Sequence, residues 1–229
     1  MAVSVVSGAQ FARSGLTRAV LRGGNYIGVH AIGDLAAAVT EAVSADGFCY
    51  GYHSELDLVG HLYGPGSTAW RMQLRQVDRL VESVVEALPR DGLLAVVADH
   101  GMIDVDPDAT VDIDTCGPLL DGVHAVGGEA RARHIYPVDG AADDVLAAWR
   151  ETLTDAAWVL SRDEAIAAGW FGARVRDDVR PRIGEVVAAA RGRAVLLRRA
   201  TEPMESSLVG HHGSLTSAEQ HIPLLLALG

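Results

Sequence analysis

Three short segments carry carboxylates and imidazoles at spacings that can hold a metal ion. They are Asp57-Leu-Val-Gly-His61-Leu-Tyr-Gly-Pro65, Ala98-Asp99-His100-Gly101-Met102 and Gly210-His211-His212-Gly213. Carboxylate oxygen and imidazole nitrogen are good zinc ligands and also serve other divalent metals. Each segment alone has a plainer use: a chance Asp–His pair four apart, a polar strand end at Asp99-His100, and a polar turn at His211-His212. Their placement along the chain weighs more than their types.

Two of the segments directly follow apolar or aromatic runs that read as strands, Phe48–His53 and Leu93–Ala98. In open α/β sheets, ligands gather outside the carboxyl ends of the strands, so residues distant in sequence can converge there. Residues 34–45 read as a helix with Asp34 near its N-cap. After Phe48–His53 comes a turn-rich stretch with Gly60, Gly64, Pro65 and Gly66. Ser67 can cap a long helix running to Leu88, with Trp70, Leu74, Val77, Val81, Val84 and Leu88 on one face. Leu93–Ala98 is a continuous apolar run, as expected of a parallel strand buried on both faces. Gly101 is expected to let the backbone turn sharply after the Asp–His pair.

Beyond residue 104 the pattern changes. Asp104 to Asp114 is an acidic stretch that lacks the glycine and closing glutamate of an EF-hand, and it reads as a solvated loop. Residues 117–137 suggest short strands, Ala141–Leu153 a helix, and 156–200 a mixture of short elements. Ile222–Leu228 reads as a last strand. The expected organisation is a partial catalytic core over 1–116, a small α+β cap insertion over 117–200 and a return to the core over 201–229. Alternating strands and helices place the chain in the α/β class, with a mostly parallel sheet.

Composition narrows the functions. The 229 residues are 49% hydrophobic, enough for a substantial core, and carry a net charge of -11. That charge excludes general binding of duplex nucleic acid, which needs clustered Lys and Arg to displace counterions. An acidic chain can still act on a phosphate ester if bound cations supply local positive charge. Cys49 and Cys116 are far apart, which excludes a disulfide framework or thiolate zinc site and leaves them as small apolar residues of the interior. No apolar run is long enough to span a membrane, and Met1–Ser7 lacks the features of a signal peptide, so the expected location is cytoplasmic.

With its segments in this order, the chain resembles the nucleotide pyrophosphatase/phosphodiesterase type of the alkaline phosphatase superfamily. The matching motifs are Asp57-x-x-x-His61-x-x-Gly64-Pro65, Asp99-His100-Gly101-Met102 and Gly210-x-His212-Gly213, with the resemblance covering about residues 45–229 and weakest in the cap. It implies a three-layer α/β/α alkaline phosphatase-like core, here partial, and hydrolysis of a small-molecule phosphate ester at a two-zinc site. By match to the motifs, Asp57, His61 and His212 would hold one ion, while Asp99 and His100 would help to hold the other. His212 is preferred to His211 because it stands directly before the glycine, which leaves His211 supporting the ligands or exposed.

The family also has an early Asp-Gly that completes the second metal site and a Thr or Ser nucleophile at a helix start. No Asp-Gly follows an apolar strand near this N-terminus, since Asp46-Gly47 leads into a strand instead. Ser4, Ser7, Ser14 and Thr17 read as loop residues or caps. The expectation is therefore a C-terminal portion of a longer enzyme, inactive alone, whose exposed sheet edge favours a homo-oligomer. A catalytically inactive metal-binding fragment and a phosphomutase of the same superfamily stay open as alternatives. A sulfatase is disfavoured by the absence of a Cys-x-Pro-x-Arg segment. Among the other histidines, His53 reads as a hydrogen-bonded strand residue, and His134, after Arg131 and Arg133, as either structural or facing substrate.

Overall fold

Val3, Val5 and Val6 favour extended backbone, and the alanines after Asp34 favour a helix, so the N-terminal region alternates strand and helix. The computed structural model describes residues 2–44 and 47–229. Its first elements are β1 (Val3–Gly8), α1 (Gly15–Val20), β2 (Asn25–Val29), α2 (Ile32–Ser44), β3 (Phe48–Gly51), α3 (Glu55–Tyr63), α4 (Thr68–Glu86) and β4 (Leu93–Val97). There follow β5 (Ile103–Asp104), β6 (Thr110–Asp112), β7 (Val123–Glu129), β8 (Ala132–Pro137), α5 (Ala142–Thr152), β9 (Ala157–Ser161) and α6 (Arg162–Ala167). The last are β10 (Val186–Ala190), β11 (Val195–Leu197), β12 (Gly210–His211), α7 (Ser217–Gln220) and β13 (Leu224–Leu228). None of the described helices is long and apolar enough to cross a membrane.

The chain divides into two compact units, one of Met1–Asp99 with Pro223–Gly229 and the other of His100–Ile222. In the first unit β1 lies between β2 and β3, parallel to both, with Val5 opposite Tyr26 and Tyr50. Val6, Val29 and Leu35 form its core, with Val39 from α2 and Leu80 from α4 packed against them. Asp34 accepts the backbone N–H groups of His30 (2.8 Å) and Ala31 (2.7 Å), tying down the start of α2. Ser67 caps α4 by accepting the N–H of Trp70 at 3.2 Å. On the expected stripe of α4, Val84 is buried and Trp70, Val77 and Val81 are half-buried, while Leu74 is exposed. Asp46 lies outside the described residues, and Gly47 directly precedes β3.

The first unit corrects two expectations. The stretch after β3 is a helix, α3, rather than a series of turns. Gly60 sits buried inside it, and Gly64, at φ +84, ends it. β4 pairs antiparallel with β13, and neither strand is buried on both faces: Leu93 and Val97 are 62% and 57% exposed, and Leu224 and Leu225 are 64% and 61%. An apolar run records only that a strand is favourable there, since covering comes from whatever packs on it. Val186–Ala190 makes the contrast, for all five residues of β10 are buried, and β10 is antiparallel to both β8 and β9.

The second unit is built on the antiparallel sheet β7-β8-β10-β9. Helix α5 lies over it, and Trp149, Ile135, Leu153, Val145 and Leu196 make the core. The Trp149 indole N–H donates to the Leu119 carbonyl at 2.9 Å, satisfying the one polar atom of that buried ring. The boundaries expected at 116/117 and 200/201 both fall inside this unit. β6 of the expected core pairs parallel with β11 of the expected cap, while β5 and β12, both assigned to the core, pair antiparallel with each other. The acidic stretch is accordingly structured rather than a solvated loop. Asp114 accepts from the Arg198 guanidinium at 2.5 Å and from the Ala200 N–H at 2.8 Å. Burial pushes its carboxyl up, but these hydrogen bonds outweigh that and hold it below the usual range. Both cysteines are free and half-buried.

Candidate metal centre

The i,i+4 spacing of Asp57 and His61 acquires its meaning from α3, because residues four apart share one face of a helix. Glu55 and Asp57 lie in the first turn of α3 and His61 in the last, the arrangement that the helix dipole favours. The Asp57 Oδ2 and His61 Nε2 atoms are 3.5 Å apart, and both side chains are partly exposed. The pair thus presents one oxygen and one nitrogen donor side by side. This donor set fits a divalent cation.

Asp99, two residues beyond the end of β4, belongs to the same neighbourhood of the first unit. The marker is Tyr52, just beyond β3. Its hydroxyl is pushed up to about 12, first by burial and then by the negative charges of Asp99 and Asp57. Tyr50 is raised by burial and by Asp99 as well. The charges of the two acidic ligand candidates, Asp57 in α3 and Asp99 beyond β4, thus both raise one phenol. A small cleft at the carboxyl ends of β1, β2 and β3 is lined by Gly8, Gln10, Val29, His30, Tyr52 and His53. His53 lies beyond the strand expected to contain it, with Nε2 3.0 Å from the Gln73 amide and Nδ1 2.5 Å from Glu55.

Within the second unit, described by itself, the rings of His100 and His212 stack at 3.5 Å between centroids with 17° between their planes. His212 Nδ1 also lies 3.8 Å from the Glu129 carboxylate. The neighbouring His211 is 3% exposed and paired with Ile103 across β12 and β5, so the exposed alternative for this residue is excluded. The backbone bends at Asp99, and Gly101 is not among the positive-φ glycines, so left-handed backbone is not what requires a glycine there. Its glycine is needed for close approach instead: a Cβ there would stand 1.9 Å from the Ala218 carbonyl oxygen.

Several other candidates prove structural. Arg131 and Arg133 are wholly buried, the first paired with Glu219 and the second with Glu202 at 2.8 Å. His134 accepts the Gly184 N–H at 3.1 Å, and burial lowers its pKa. Ser14 is the N-cap of α1, accepting the Thr17 N–H at 3.1 Å and donating to the Thr17 hydroxyl at 3.0 Å. Ser7 is buried in β1. Sequence reasoning missed Tyr52, Glu129 and Glu219. None of the three left a spacing signal, and Glu219 stands among polar residues ahead of the apolar run Ile222–Leu228.

A family model described as type I phosphodiesterase / nucleotide pyrophosphatase matches residues 22–215. The chain is 43% identical over 60 residues to human ectonucleotide pyrophosphatase/phosphodiesterase family member 7, which is 24% of this chain and 13% of that protein. It is 38% identical over 52 residues to GPI ethanolamine phosphate transferase 3 of Eremothecium gossypii, 23% of this chain and 5% of that one. Among solved structures, inactive murine ectonucleotide pyrophosphatase / phosphodiesterase 5 in complex with AMP aligns with a TM-score of 0.74 at 19% identity, covering 99% of this chain and 60% of that one. Phosphonoacetate hydrolase from Sinorhizobium meliloti 1021, in complex with phosphonoformate, aligns with a TM-score of 0.63 at 18% identity over 98% of this chain and 64% of the other. Both structural likenesses are of fold. The chain spans less than two thirds of either structure, and a much smaller share of the curated relatives.

Proposed function

Because the chain belongs to the type I phosphodiesterase / nucleotide pyrophosphatase family of the alkaline phosphatase superfamily, we propose that it serves metal-dependent hydrolysis of phosphodiesters or nucleotide pyrophosphates. In this reading Asp57, His61 and His212 are ligands of one divalent cation, taken to be zinc, and Asp99 and His100 are among the ligands of a second. The observation that carries it is the Asp57–His61 pair, 3.5 Å apart on one face of α3.

Bound cations supply positive charge for the non-bridging oxygens of a phosphate ester and lower the pKa of a nucleophile. The chain's own part is to hold carboxylates and imidazoles ready without letting them repel the substrate. Its net charge of -11 makes this a real constraint, since Asp57 and Asp99 would otherwise oppose an anionic ester. Tyr52, keeping its proton up to about pH 12, can donate a hydrogen bond beside those carboxylates at any physiological pH. Among the described residues, Ser7 is buried and Ser14 is committed to a cap, so neither is assigned as nucleophile.

Two measurements test the proposal. Equilibrium dialysis against zinc with elemental analysis should find a tightly held ion, lost in Asp57→Ala and His61→Ala. A chromogenic phosphodiester and the matching monoester, each with and without chelator, then test turnover by the 229-residue chain. A wild-type chain that retains no divalent metal would overturn the ligand assignment. Turnover that persists in chelator would overturn the metal dependence.

A further inference from the structure

We infer that Glu219, oriented by the buried Arg131, is the positioning residue that holds His100 and His212 in their mutual arrangement. This rests on the ligand reading above. Glu219 is 2% exposed and Arg131 is wholly buried, yet they form an ion pair. Such a pair contributes little net stability over well-packed apolar residues, because desolvation of both charges opposes their attraction. What it does provide here is geometry.

Glu219 makes two connections. Its backbone carbonyl accepts the N–H of Gly101, the residue after His100, at 2.8 Å. Its carboxylate Oε1 accepts the N–H of Ser214, two residues after His212, at 2.9 Å. One residue therefore grips both ligand-bearing loops, each within two residues of its histidine. The grip has little slack: any side chain at Gly101 would collide with the Ala218 carbonyl, and Ser214 is itself fixed by donating its hydroxyl to the Ala190 carbonyl at 2.6 Å.

Arg131 sets the carboxylate plane. Its Nε donates to Oε1 at 2.9 Å, a second guanidinium nitrogen donates to Oε2, and the third donates to the Ala194 carbonyl. The Thr216 hydroxyl completes Oε2. A bidentate guanidinium restricts both the distance and the rotation of a carboxylate. The chain of contacts from the β-sheet through Arg131 and Glu219 to the two loops gives the stacked histidines a fixed seat. Groups behind metal ligands tune affinity in this way.

The test compares zinc affinity and apo-protein melting for wild type, Glu219→Gln, Arg131→Met and the control Arg133→Met, which breaks the half-buried pair with Glu202. Glu219→Gln and Arg131→Met should weaken zinc binding by about 10- to 100-fold. Arg133→Met should lower the melting temperature while leaving affinity near wild type. Amide exchange in metal-free wild type should show Gly101 and Ser214 protected together, and Glu219→Gln should release Ser214 selectively. Wild-type affinity in a folded Glu219→Gln, or an equal affinity loss in Arg133→Met, would overturn the inference and leave the ligand reading intact. If a variant does not fold, unprotected Gly101 and Ser214 amides in wild type would overturn it alone. A wild type that binds no zinc fails the ligand reading itself.

Discussion

The rings of His100 and His212 stack at 3.5 Å between centroids, bringing side chains 112 residues apart in sequence into contact. The neighbouring His211 is instead buried in β12 against β5.

This division separates the two adjacent histidines by experiment. His212→Ala should weaken divalent metal binding by about 100-fold or more, since losing a ligand exceeds losing a group behind one. His211→Ala should mainly lower the melting temperature, as removal of a buried side chain does. Calorimetric zinc titration paired with thermal melting reads both. The reverse pattern would make His211 the ligand.

Tyr52 offers a reporter for Asp99. Burial is the first cause of its raised pKa and the Asp99 charge the second, so Asp99→Asn should bring the phenol down from about 12 while leaving it above the ordinary 10. Ultraviolet titration of the metal-free chain measures this. The sign for stability follows: the protonated phenol favours the folded state below pH 10, and that contribution is lost as pH rises through about 12. An unchanged titration in Asp99→Asn would place that carboxylate too far away to matter.

Acid should loosen the start of α6. Glu164 is lowered to about 2, first by the Arg150 guanidinium and then by the Ser161 N–H of its capping box. A depressed carboxylate contributes stability above its unfolded pKa of 4.5 and loses it as pH falls toward 2. Glu164→Gln should therefore be less stable than wild type at pH 7 and nearly equal at pH 2, in denaturant melts at the two pH values. The gap should also shrink in high salt, because the Arg150 pair is half exposed.

Gly101→Ala should disturb the loop that carries His100, since its Cβ would stand 1.9 Å from the Ala218 carbonyl. The expected result is weaker zinc binding and loss of Gly101–Glu219 protection in amide exchange. Because φ at Gly101 is not in the left-handed region, the fault is collision rather than backbone strain. Ala218→Gly, which leaves the carbonyl in place, should not rescue it.

The residue types and their order along the chain determined the candidate donors, the alternation of strand and helix in the first unit, the acidic first turn of α2 at Asp34 and the cap at Ser67, because these depend on neighbours a few residues away. Spacing four between Asp57 and His61 was legible as a pair, but its shared face needed α3 to exist. Tertiary structure alone decided that the apolar β4 is antiparallel and exposed while β10 is buried, since hydropathy does not name the element that covers a strand. It alone decided the reason for Gly101 and the union of Arg131 with Glu219, whose 88-residue separation leaves no local pattern. Hydrogen-bond partners brought together by folding are invisible to periodicity, and here they join Glu219 to the Gly101 and Ser214 backbone beside His100 and His212.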